Sequence, residues 1–140
     1  MTGTFPRATE KLLLQAVIVG LCLSPFVIGG MGIVRGPAQF GAEVSLDPDR
    51  LRDVFSHYRY LSGIFFAVGL MALSCVPHIE LMGDRFRWVV ILVVVGGIAR
   101  LTGIMIDGAP SVGHRLGLAT ELGITPLLGL WQMRVARRFA

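Results

Sequence analysis

The residues of this chain that are equipped for chemistry are few, and two of them sit where charge is costly. Arg100 interrupts an apolar run over residues 88–106, and Glu121 interrupts another over residues 117–131. Thirteen residues separate Arg87 from Arg100, and thirteen separate Glu121 from Arg134. At a rise of ~1.5 Å per residue, both side chains leave their helices about 20 Å from one boundary marked by those basic residues. A charge at the centre of a bilayer costs roughly 2.5–3.5 kcal/mol on insertion scales, so such a side chain faces a partner or a wet cavity. The spacing predicts that Arg100 and Glu121 answer each other across adjacent helices. A second tier lies farther out: twenty residues separate Arg87 from Asp107, and twenty separate His114 from Arg134. Arg59 is expected at a similar height on the second helix, with His57 and Tyr58 within a turn of it. Arg100 and Asp107 are seven apart and share a helix face, as do His114 and Glu121. Together these residues outline a polar track running inward from the outer surface, with Arg59, Asp107 and His114 around its mouth.

Three kinds of chemistry fit that track. One is an ion-pair network that fixes helix register and nothing more. Another is a binding pocket, in which Arg100 supplies a fixed cation for a carboxylate, phosphate or quinone oxygen, and Phe65 and Phe66 supply an apolar wall. The third is acid–base or metal chemistry by His57, His114, Asp107 and Glu121, residue types that suit zinc or iron. Their spacing matches no metal motif, so no metal ligand and no catalytic residue is assigned, and the cofactor is left unknown. Ser24 and Ser111 show no base at hand for a nucleophile.

The elements that must position these residues follow from hydropathy. Four apolar segments, at 12–34, 60–76, 88–106 and 117–133, each approach the ~20 residues that span a bilayer. The first is longer than the ~7–15 residues of a signal-peptide core and is read as a retained helix. Asp47 is a good N-cap, Pro48 suits the first helical position and Asp49 complements the positive helix end, so the second helix is expected to start near Pro48. Its first turns are amphipathic, with Leu51, Val54, Phe55 and Tyr58 at helical spacing. Residues 107–111 read as a tight turn, and Pro110 is a candidate opener of the fourth helix. Pro25 and Pro126 predict kinks. The expectation is an all-α, four-helix transmembrane bundle, a single membrane domain over residues 1–140. Its helices are expected at about 12–34, 48–77, 87–106 and 111–134, with a long outer loop between the first two.

Composition agrees. The chain is 54% hydrophobic and 16% charged, against about 25% charged in soluble domains, and its mean hydropathy is +0.70. A net charge of +4 and a pI near 9.8 do not point to nucleic acid, because the cations mark the ends of apolar runs and form no basic stripe. Anionic membrane lipid is their natural partner. Lys and Arg are more numerous on the side holding Arg7, Lys11, Arg85, Arg87, Arg134, Arg137 and Arg138, which predicts that both termini are cytoplasmic. Cys22 and Cys75 fall at different depths and are expected as free thiols. The glycines favour close helix packing.

The block from Arg100 through Asp107-Gly108-Ala109-Pro110-Ser111, followed by Glu121, resembles a bacterial membrane family known as domain of unknown function 4345. The segment His57-Tyr58-Arg59-Tyr60-Leu61-Ser62-Gly63 is similar to that family's second helix. The likeness covers the chain from the second helix onward, the first being matched only in general character. It implies a four-helix membrane protein and supplies no activity. The build is also similar to the DoxX type, an analogy of fold alone. The resulting expectation is a multi-pass bacterial inner-membrane protein with a polar centre of Arg100, Glu121, Asp107, Arg59, His114 and His57. Its role would be to bind a small lipid- or quinone-like molecule or to serve as accessory subunit to a partner membrane protein. A membrane-embedded enzyme is the alternative.

Overall fold

The computed structural model describes residues 6–40 and 47–140. Four helices account for nearly all of them: α1 (Arg7–Gln39), α2 (Pro48–His78) and α3 (Gly83–Asp107), then α4 over residues 112–139. No strand occurs among the described residues. α1, α2 and α3 are each long and apolar enough to cross a membrane. α4 is not among them, because Thr120, Glu121, Thr125 and Gln132 dilute its apolar run. Only 22%, 17% and 11% of the apolar windows of α1, α2 and α3 are buried. Their outward faces are therefore hydrocarbon, with Leu23, Val34, Met105 and Ile106 each more than half exposed.

The helix ends follow local chemistry. The Asp47 carboxylate accepts from the backbone N–H groups of Asp49 and Arg50 at 3.2 and 3.1 Å, and Pro48 occupies the first turn, so two orphan donors of α2 are satisfied. α1 begins at Arg7, a turn before its apolar run, and continues past residue 34. At Gly36 the backbone takes φ +63°, a conformation glycine adopts without penalty, and the chain tightens into a 3₁₀ turn, Gly36–Phe40. The rest of the expected outer loop, residues 41–46, lies outside the described residues. Gly108, at φ +93°, ends α3. Pro110 precedes the fourth helix rather than opening it, and the helix starts at Val112.

The two kink prolines coincide with wider turns. Pro25 opens a π-helical turn, Pro25–Gly29, and a second, Thr120–Ile124, lies just ahead of Pro126. Proline has no N–H to continue the α-helical ladder, and a π turn accommodates the break. In α4 the Thr125 hydroxyl donates to the Thr120 carbonyl at 3.0 Å. In α1 the Pro25 ring rests against Gly69 of α2, where an added Cβ would fall 2.8 Å from its Cγ.

The core lies toward the end that gathers the start of α1, the end of α4 and the α2–α3 turn, here called the basal end. Leu14, Cys75, Ile79, Gln132 and Val135 are fully buried there. α2 ends in carbonyls with no helical donor, a debt common to all helix C-termini. Gln15 of α1 donates to Val76 O at 2.6 Å and Gln132 of α4 donates to Ile79 O at 2.9 Å. Toward the distal end the bundle divides into two pairs. Among the described residues, residues 30–40 approach only α1 and α2, and residues 112–119 approach only α3 and α4.

Candidate functional site

Arg100 and Glu121 meet. Arg100 Nε donates to Glu121 Oε2 at 3.0 Å and Nη2 donates to Oε1 at 2.9 Å. This is a two-pronged pairing of a planar fork with a carboxylate, the strong form of such a bond. The carboxylate is the inner member, 14% exposed against 32% for the guanidinium. The approach depends on Gly97, one turn before Arg100: a Cβ there would lie 2.9 Å from Glu121 Cβ and 2.7 Å from Leu122 Cδ2. Glu121 itself belongs to the π turn of α4. A glycine on one helix and a widened turn on the other thus bring the two charges into register.

Outward from the pair, a shallow recess of about 290 Å³ opens between α3 and α4, lined by Arg100, Gly103, Ile104, Asp107, Gly108, Pro110 and His114. Guanidinium carries five N–H donors. The carboxylate engages two, and the remaining three have no partner among the described residues. Asp107 is exposed at the rim. His114 lies nearby, its Nδ1 3.0 Å from Ser111 Oγ. The sequence showed no base beside Ser111, and here one stands. The pair sits three residues apart at a helix start, the spacing at which an N-cap residue and the third helical residue meet.

Two members of the expected cluster lie elsewhere. Arg59 does not join Asp107 and His114. Its Nε donates to Ile33 O at 3.2 Å and its guanidinium lies 5.7 Å from the Phe55 ring centroid. α2 packs on α1 along this stretch, so the face bearing Arg59 meets the C-terminal carbonyls of α1, where a cation is favoured. His57 is exposed on α2 and does not line the recess. Phe66 is no wall of it either, since it stacks edge-to-face on Phe26 of α1, centroids 5.1 Å apart. Among the described residues, no three His, Cys, Asp or Glu side chains gather as a metal would require. Cys22 and Cys75 are buried free thiols.

A second polar group, at the basal end, escaped sequence reasoning. Glu10, whose side chain is 9% exposed, is held by Arg134 at 3.0 Å and by Arg138. Beside it, Lys11 Nζ bridges Glu80 at 2.8 Å. Burial pushes the Glu80 carboxyl up, but the hydrogen bond from Lys11, its own backbone N–H and the charges of Lys11 and His78 together hold it below the usual carboxylate value. Lys11, Arg134 and Arg138 read in the sequence as marks of topology. The signal that could have exposed their second use is Glu10 and Glu80 at the same boundary.

Four helices, three fit to cross a membrane, with hydrocarbon outward and a charged pair between two of them, define an all-helical protein of membrane type. The chain belongs to the family described as domain of unknown function (DUF4345), whose model matches residues 13–132. The match takes in most of α1 and so reaches farther than the likeness from the second helix onward. No curated protein and no solved structure matches the chain.

Proposed function

We propose that this chain is an integral membrane protein of four helices, a single domain set in the bacterial inner membrane with both termini in the cytoplasm. In this reading it binds one small amphipathic molecule, lipid- or quinone-like, in the recess between α3 and α4. The observation that carries the reading is the state of Arg100. Its charge is balanced by Glu121, yet three of its N–H donors have no partner among the described residues and it lines an open recess. Unsatisfied donors within a helical span are costly, and an oxygen-bearing ligand would satisfy them. Because Glu121 already neutralises the cation, a carbonyl or hydroxyl suits the site better than a second carboxylate. Asp107 and His114 at the rim offer an acceptor and a second hydrogen-bonding group to a polar head. Gly103 and Ile104, which also line the recess, give its tail apolar surface.

The test is mass spectrometry of protein extracted in several mild detergents. A discrete lipid or quinone that co-purifies with the wild type, and is lost in Arg100→Gln, is the expected result. Protein that is clean in every detergent overturns the ligand reading. Extraction of membranes with alkaline carbonate tests the placement separately. The protein should stay in the pellet, and release into the supernatant removes the membrane assignment. The enzyme alternative asks His57, His114, Asp107 and Glu121 to act together, and His57 lies outside the recess that the others share or adjoin.

A further inference from the structure

A second shallow cavity, open to the surface along the first turns of α2, belongs to none of the chemistry above. It has a volume of about 420 Å³ and is lined by Leu51, Arg52, Phe55, Ser56 and Arg59. Its two cations differ in an instructive way. Arg52 is already answered: Nη2 lies 2.8 Å from Asp49 Oδ1, and Nε donates to Pro48 O at 3.1 Å. No carboxylate among the described residues answers Arg59. Its Nε is committed to Ile33 O and its plane lies over Phe55, which fixes the guanidinium while leaving its four terminal N–H donors without a partner among the described residues. Gly36 of α1 lies against it, the position of a Cβ there being 3.3 Å from Phe55 Cδ1 and 3.4 Å from the Arg59 guanidinium carbon. Ser56 contributes a hydroxyl, also unpartnered among the described residues, and Leu51 and Phe55 contribute apolar surface.

We infer that this cavity holds the phosphate of a phospholipid, with Arg59 as its principal ligand and Ser56 as a further donor. The charge count supports a phosphodiester. One guanidinium with no carboxylate partner among the described residues matches one negative charge, and a guanidinium fork suits two phosphate oxygens. The surroundings support a lipid over free phosphate. The polar donors stand beside Leu51 and Phe55, on the amphipathic turns where α2 emerges from its apolar stretch, so a glycerol backbone and the start of an acyl chain have somewhere to lie. Nothing in the α3–α4 recess is required for this site, and either can fail without the other.

The experiment is native mass spectrometry of the full chain released from nanodiscs containing phosphatidylglycerol, with diacylglycerol as a phosphate-free comparison. The wild type should retain one phospholipid and discard diacylglycerol. Arg59→Gln should retain phosphatidylglycerol about ten-fold less well, the scale of losing a charge-assisted contact. Arg115→Gln, an exposed cation of α4 away from the cavity, should bind as the wild type does. If Arg59→Gln does not fold, Ser56→Ala carries the test, with a smaller loss expected. Retention unchanged in the Arg59 or Ser56 variant overturns the proposal, as does equal retention of diacylglycerol. Displacement of the lipid by millimolar inorganic phosphate would reassign the cavity to the free anion and overturns the lipid source.

Discussion

At the scale of single residues, the chain concentrates its meaning in side chains whose charge must be answered. Arg100 and Glu121 were legible because each stands alone in an apolar run and the same count from a basic boundary gives both one height. Counting along a helix yields height but not direction around the axis. That is why Arg59 was expected beside Asp107 and His114 and instead meets the carbonyl end of α1. The pairing of Arg100 with Glu121 predicts an asymmetric pattern. Arg100→Leu or Glu121→Gln alone leaves a partner short of its hydrogen bonds, at a cost of about 1–3 kcal/mol. The double substitution removes both demands and should recover part of the loss, with a coupling of about 0.5–3 kcal/mol. Thermal unfolding of the four proteins in one detergent reads this out. Losses that simply add would mean that the two groups do not depend on each other.

At the scale of elements, the sequence located the helices through hydropathy and the start of α2 through Asp47 and Pro48, signals written locally in residue type. It flagged Pro25 and Pro126 as kinks, but not the π turns beside them, because turn width depends on what the neighbouring helix allows. Close approach was legible only as an abundance of glycine, and the structure separates glycines that matter from those that do not. Gly96 and Gly97 are adjacent in α3. A Cβ at Gly96 meets nothing within 4 Å, whereas one at Gly97 meets Glu121 and Leu122 below 3 Å. Gly97→Ala should therefore destabilise by about 1–3 kcal/mol through overpacking, pushing the π turn of α4 off α3. Gly96→Ala should be neutral or stabilise by up to about 1 kcal/mol, the helix preference for alanine. Melting temperatures of the two variants, taken side by side, check the contrast, and an equal response at the two positions would contradict it.

At the scale of the whole molecule, the bundle is fastened at one end and divided at the other. The basal end holds the fully buried side chains, two glutamines on carbonyls at and just past the end of α2, and the ion pairs of Glu10 and Glu80. The sequence did not reveal this, because a cation near a membrane boundary looks the same whether it serves topology or grips a carboxylate. The Glu80 carboxyl is held below its usual value of 4.5. A carboxyl whose folded value is depressed stabilises the fold above its unfolded value, and that contribution is lost as pH falls through the folded value. Unfolding temperature should thus fall in acid below about pH 4.5, and Lys11→Met, which removes the main partner, should flatten that fall. A wild-type and a variant profile of the same slope would show that the bridge to Glu80 does not contribute. The grip on Glu10 has a consequence in time as well as in space. Its carboxylate is made before either cation, and the farther of the two follows 128 residues later. Until α4 is synthesised and docked, Glu10 lacks both of the α4 cations that hold it in the folded chain. A chain stalled before α4 is therefore chemically distinct from one that carries it, and the pairing of Glu10 also registers that α4 has been made and has docked.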